Sequence, residues 1–104
     1  MTFIDVLITC PDRASAEAIA RACIGERLAA CATIVGGAAS IYRWQGVVET
    51  ADEFTLTLKT RFSLFARLVQ RAKALHPYQV PCIIALEVVA IEPAYAAWLE
   101  DETA

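Results

Sequence analysis

The chain has 104 residues, the usual size of one domain, so a single domain spanning 1–104 is expected. Apolar residues make up 58% of it and charged residues 20%, which excludes intrinsic disorder and exceeds what so small a domain can bury alone, even with 20 alanines of little burial area. Nine Lys and Arg against twelve Asp and Glu give a net charge of −3, which argues against a broad basic surface for nucleic acid.

Residues 2–9 alternate Ile4, Val6 and Ile8 with Phe3, Leu7 and Thr9, the pattern of a strand covered on both sides and interrupted only by Asp5. Pro11-Asp12 ends it, and Asp12 can cap a helix in which Ala16, Ile19, Ala20, Cys23 and Ile24 recur at helical spacing. Arg13, Glu17 and Arg21 mark its solvated face. From Cys31 to Tyr42 a second strand is predicted, broken or bulged at Gly36-Gly37, followed by a turn at Trp44-Gln45-Gly46. Phe54, Leu56 and Leu58 then alternate with Thr55, Thr57 and Lys59, so the two runs pair as a long hairpin. Its exposed backbone edge invites pairing with another chain.

Ser63 is the expected cap of a second helix carrying Phe65, Leu68, Val69, Ala72 and Leu75 on one face, stopped by Pro77 after His76. Cys82 to Leu86 reads as a buried strand, and Glu92-Pro93 opens a short last helix with Tyr95, Trp98 and Leu99. The order βαββαβα describes an α+β, ferredoxin-like βαββαβ sandwich with a short C-terminal helix.

The beginning Met1-Thr2-Phe3-Ile4-Asp5 carries no basic segment before an apolar run, and the longest uncharged stretch, residues 28–42, is broken by Gly36, Gly37 and Ser40. Neither a secretory signal nor a span of roughly 20 apolar residues is expected, and the cytoplasm is the expected compartment. Cys10, Cys23, Cys31 and Cys82 show no CxxC spacing, which excludes a zinc ribbon, and each is expected to be a small core side chain.

Several stretches together resemble the CutA family of divalent-cation tolerance proteins. They are Thr9-Cys10-Pro11-Asp12, residues 26–31 (ERLAAC), residues 40–46 (SIYRWQG), Leu58-Lys59-Thr60, residues 76–81 (HPYQVP), Pro93-Ala94-Tyr95 and Trp98-Leu99. They run from the first strand to the last helix. The resemblance implies a homotrimer of ferredoxin-like subunits packed about a threefold axis in a PII-like manner. It also implies a non-enzymatic role in the response to metal ions, with copper binding. The family's metal proposal uses a first-strand cysteine and two adjacent histidines before the Pro-Tyr. Ile8 and Leu75 stand at two of those positions here, and His76 at the third.

His76, the only histidine, is therefore the candidate imidazole ligand for copper or another divalent metal. Cys10, two residues beyond Ile8 on the same strand face, is the candidate thiolate. The competing reading of His76 is a helix-end residue meeting the last carbonyls of its own helix. Tyr42, Trp44, Tyr78 and Trp98 could line a cleft between subunits or simply pack them together. Lys59, with Arg61 and Arg43 as possible neighbours, could hold a small anionic ligand there, as a PII-like sensor would. Glu49, Asp52 and Glu53 offer oxygen donors to harder cations, but their hairpin setting more often means a charged, soluble edge. No nucleophile, base and orienting group come together in sequence, so an enzyme is not expected.

Overall fold

In a computed structural model describing residues 1–104, the alternation near the amino terminus builds β1 (Phe3–Cys10). Its even-numbered side chains Ile4, Val6, Ile8 and Cys10 are buried, while Phe3, Asp5, Leu7 and Thr9 on the other face are only partly covered. Asp12 caps α1 (Arg13–Gly25), accepting the Ser15 backbone N–H at 2.7 Å. The helix buries Ala16, Ile19, Ala20 and Cys23. Ile24, expected on that stripe, is 40% exposed because it follows Ala20 by one turn at the stripe's edge, beside the helix end.

β2 (Cys31–Trp44) and β3 (Val47–Arg61) form the expected hairpin. Gln45 and Gly46 turn it with φ of 50° and 83°, the left-handed pair that suits a two-residue turn between twisted strands. The register shifts between Val35 and Ala38, where Gly37 takes a positive φ and Phe54 lies so close to Gly36 that a Cβ there would meet its ring at 2.8 Å. β1 pairs antiparallel with β3 only from Arg61 back to Phe54. Beyond Phe54 the hairpin has no third strand and runs on as a two-stranded arm, which accounts for a molecule 45 Å long and 25 by 22 Å across.

After a 3-10 turn at Phe62–Leu64, α2 (Phe65–Leu75) packs beside α1 on the even-numbered face. Ser63 does not cap it. The turn places Leu64 at the cap position with no side-chain hydrogen bond, and Ser63 is exposed within the tighter turn. His76 leaves the helix with extended backbone (φ −78°, ψ 134°), as the following Pro77 requires. β4 (Ile83–Glu87) pairs antiparallel with the other side of β1, giving the sheet order β2-β3-β1-β4. α3 (Pro93–Glu102) follows, capped by Glu92, which accepts the Tyr95 N–H at 2.8 Å. The Cys31 Sγ and Tyr95 hydroxyl are 3.2 Å apart, so α3 lies over the face opposite α1 and α2, at one end.

The core joins Ile4, Val6, Ile8, Leu56 and Leu58 of the sheet to Ile19, Cys23, Leu68 and Ala72 of the helices. Each large side chain sealed there contributes about 1.5–3 kcal/mol. The expected two-sided burial of the last strand does not hold within one chain: Ile84 and Leu86 are about half exposed, and Cys82, just before β4, is exposed. They lie on or beside the face opposite α1 and α2, which α3 covers only at one end and where Val35 is also open. A sheet needs cover on both faces to bury an unbroken apolar strand, and on the core side Ile83 and Ala85 are themselves only partly covered.

Two outcomes follow from this packing. Asp12→Ala should cost about 1 kcal/mol in urea denaturation, whereas Ser63→Ala should change stability by no more than a few tenths of a kcal/mol. Burial pushes the Cys10 and Cys23 thiols from their ordinary 9.0 up to about 11, with nearby carboxylates adding to the effect. The folded state thus holds these protons more tightly than the unfolded chain. The stability they add is complete below about 9 and is lost as pH rises toward about 11. The denaturation midpoint should fall across that window, and the Cys10→Ala, Cys23→Ala double variant should show a shallower fall.

Candidate functional site

A cleft of about 760 Å³ opens between the hairpin arm and the 77–82 segment that follows α2. One wall is the arm, where Tyr42 pairs with Glu49 across the two strands and Trp44 with Val47. The other is Pro77-Tyr78-Gln79-Val80, and the strand end at Thr9 lies between them. Two hydrogen bonds pin the walls. The Tyr78 hydroxyl donates to Glu53 Oε2 at 2.9 Å, bridging segment and arm. The His76 Nε2 lies 2.8 Å from the Thr9 carbonyl, tying the end of α2 to β1.

The His76 imidazole is accordingly a fastener between elements, while its backbone N–H donates to the Ala72 carbonyl of its own helix at 2.9 Å. Its Nδ1 accepts the Tyr78 backbone N–H at 3.1 Å, so Nε2 carries the proton and donates it to Thr9. Both ring nitrogens are engaged, and the ring is buried, with its centroid 5.0 Å from that of Tyr78. Cys10, next to Thr9, is fully buried, and its protonated thiol is favoured by burial and by the charges of Asp12 and Glu53. The fold thus brings His76 and Cys10 to the same strand end. Nowhere in the chain do three or more His, Cys, Asp or Glu side chains converge as a metal ion would require.

Of the five residues expected around a cleft, Tyr42, Trp44 and Tyr78 line this one. Trp98 stacks at a tilt on Tyr95, ring centroids 5.4 Å apart, on α3. Lys59 is bound to Asp5 across β3 and β1, Nζ to Oδ1 2.9 Å. Its expected neighbours are dispersed as well: Arg61 donates to Thr103 and to the Glu100 carbonyl, while Arg43 donates to the Gly46 carbonyl at 3.2 Å in the hairpin turn. The cationic trio that an anion would need is not assembled within the chain.

Glu53 departs furthest from its sequence reading. It was expected at a soluble hairpin edge, yet it is 5% exposed at the root of the arm. The reason is the bulge at Gly36-Gly37, which rolls the hairpin just where β3 leaves β1, together with Tyr78, which closes over the carboxylate. No local signal could reveal this, because the partner lies 25 residues away. The ionised phenol is disfavoured at both tyrosines near these carboxylates. Tyr78 is pushed up to about 12 by burial and its bond to Glu53, and Tyr42 is raised by burial and by Glu49. Both hydroxyls therefore remain donors at any physiological pH.

Comparison with known proteins places this geometry in a family. The sequence profile of the CutA1 divalent ion tolerance protein matches residues 4–102. A divalent-cation tolerance protein CutA from Thermus thermophilus is 49% identical over 98 residues, covering 94% of this chain and 95% of the relative. The solved structure of the divalent cation tolerance protein (Cut A1) from Thermus thermophilus superposes with a TM-score of 0.95 at 47% identity, covering 98% of this chain and 99% of that one. A plant relative, the chloroplastic protein CutA of Arabidopsis thaliana, is 39% identical over 94% of this chain and 54% of its own length. None of the chain's helices is long and apolar enough to cross a membrane. With the ferredoxin-like sheet, the long hairpin and the cleft all in place, the chain belongs to the CutA1 divalent ion tolerance family.

Proposed function

We propose that this chain is a cytoplasmic, non-enzymatic homotrimer that binds copper or another divalent cation in the response to metal ions. The observation that carries this reading is the charge of the cleft, where the carboxylates of Glu49 and Glu53 face a single guanidinium already tied to the Gly46 carbonyl. Such a site attracts cations and repels the small anion that a PII-like sensor would hold. Lys59, the cation that the sensor reading relies on, is spent on Asp5. Relatives named for divalent-cation tolerance support the same direction.

His76 and Cys10 are the nitrogen and sulfur donors of this proposal, each buried next to a residue of the cleft wall, Pro77 and Thr9. Binding would require the imidazole to give up Thr9 and the thiol its proton, so affinity should fall as pH falls. The half-exposed Ile84 and Leu86 and the open Val35 supply an apolar face for packing three sheets together, and the unpartnered arm supplies a reach between subunits. All four cysteines are free thiols, in keeping with a reducing compartment.

Sedimentation equilibrium should find a closed assembly of about 34 kDa, three copies of the 11.3 kDa chain, and a monomer at all concentrations would refute the trimer. In calorimetric titration with copper, His76→Ala and Cys10→Ser should each weaken binding about tenfold or more. Identical titrations for both variants and the parent would remove these two residues from the site.

A further inference from the structure

Basic residues are spread unevenly along the chain. Five of the nine, Lys59, Arg61, Arg67, Arg71 and Lys73, fall within residues 54–86, which hold no Asp or Glu, although acids outnumber bases overall. Three of the five lie on α2, which carries no acidic residue. Arg67 stands in the first turn of that helix, where the partial positive charge of the helix end opposes a guanidinium. It joins none of the four ion pairs of the chain, and Arg71 one turn on adds a like charge. Arg67 thus works against its own helix with no partner to offset the cost. Positions that break a local rule without a structural return are where function is expected.

Arg67, Gln70, Arg71 and Ala74 recur on one stripe of α2 and, with Glu26 and Leu28 after α1, line a groove of about 270 Å³. Leu28 forms an apolar floor, Arg67 is exposed, and Arg71 gives only its Nε to Glu26, at 2.6 Å. The groove lies on the outer side of the helix layer, opposite the core-facing Leu68 and Ala72. It shares no residue with the arm or the open sheet face, so it stays accessible when further copies cover those surfaces. Two guanidiniums one turn apart suit carboxylates, each of which an arginine fork can grip through two N–H groups. Charge at longer range narrows the partner. A net charge of −3 per chain repels an extended polyanion such as nucleic acid or an anionic bilayer, whereas a short acidic segment senses only charges within about 8 Å.

We infer that the outer face of α2 docks a short acidic segment of a partner protein, with carboxylates on Arg67 and Arg71 and an apolar side chain over Leu28. This surface is independent of metal binding at His76 and Cys10. Fluorescence anisotropy of the full chain with a rhodamine-labelled glutamate peptide bearing a central leucine tests it, beside the same peptide with lysine in place of glutamate. The glutamate peptide should bind, more weakly as salt is added, and the lysine peptide should not. Arg67→Ala should weaken binding about fivefold while leaving the thermal midpoint unchanged or higher, because it removes a charge that opposes the helix end. Arg67→Ala combined with Arg71→Gln should weaken it about tenfold or more. Arg43→Ala, the same change of charge at the hairpin turn, should bind the peptide as the parent does. The inference is overturned if the glutamate peptide does not bind, if the lysine peptide binds equally well, or if Arg43→Ala weakens binding as much as Arg67→Ala. Capture of the chain by phosphatidylserine vesicles without binding of the peptide would also overturn it, in favour of a lipid surface.

Discussion

The structure turns on a mismatch of strand lengths. β3 has 15 residues and its central neighbour β1 has eight, so half of the hairpin leaves the sheet with only β2 for company. An isolated two-stranded ribbon is marginal in water, and an arm of this length needs support from outside itself. Within the chain that support is concentrated at the arm's root, where Tyr78 fastens Glu53 and His76 fastens Thr9. The cleft is the space those two fasteners hold open. The cleft is thus a by-product of how the arm is anchored.

That anchoring recasts the two candidate metal ligands. An imidazole whose nitrogens are both engaged and a thiol sealed in the core are well explained as packing, and a metal would have to displace those interactions. The carboxylates are the reverse case. Glu53 is buried with Tyr78 on one oxygen, and Glu49, four residues further out on the arm, has no ion-pair partner. Charge, rather than donor softness, is what this cleft presents first.

Much of the fold was legible because it rests on local patterns. Period-two alternation located β1 and β3, Asp12 and Glu92 announced their helices, and the glycine pair marked the bulge. Ser63 misled because a 3-10 turn intervened, a choice set by how the chain turns from β3 into α2. The continuous apolar run at β4 suggested a buried strand, but in a lone chain Ile83 and Ala85 on the core side are only partly covered and Ile84 and Leu86 are about half exposed. Of the five residues expected at a cleft between subunits, Tyr42, Trp44 and Tyr78 lie together within one chain, while Lys59 is paired with Asp5 and Trp98 stacked on Tyr95. Glu53 could not be read, since its burial depends on a register shift and on a tyrosine remote in sequence.

The central claim is that the arm and the open sheet face are completed by further copies of the chain. Hydrogen–deuterium exchange resolved along residues 38–52 tests this most directly, because a bare ribbon opens easily while a clasped one does not. The account predicts that arm amides hydrogen-bonded between β2 and β3 exchange nearly as slowly as those of β1. Exchange of the arm within seconds, beside a protected β1, would contradict it.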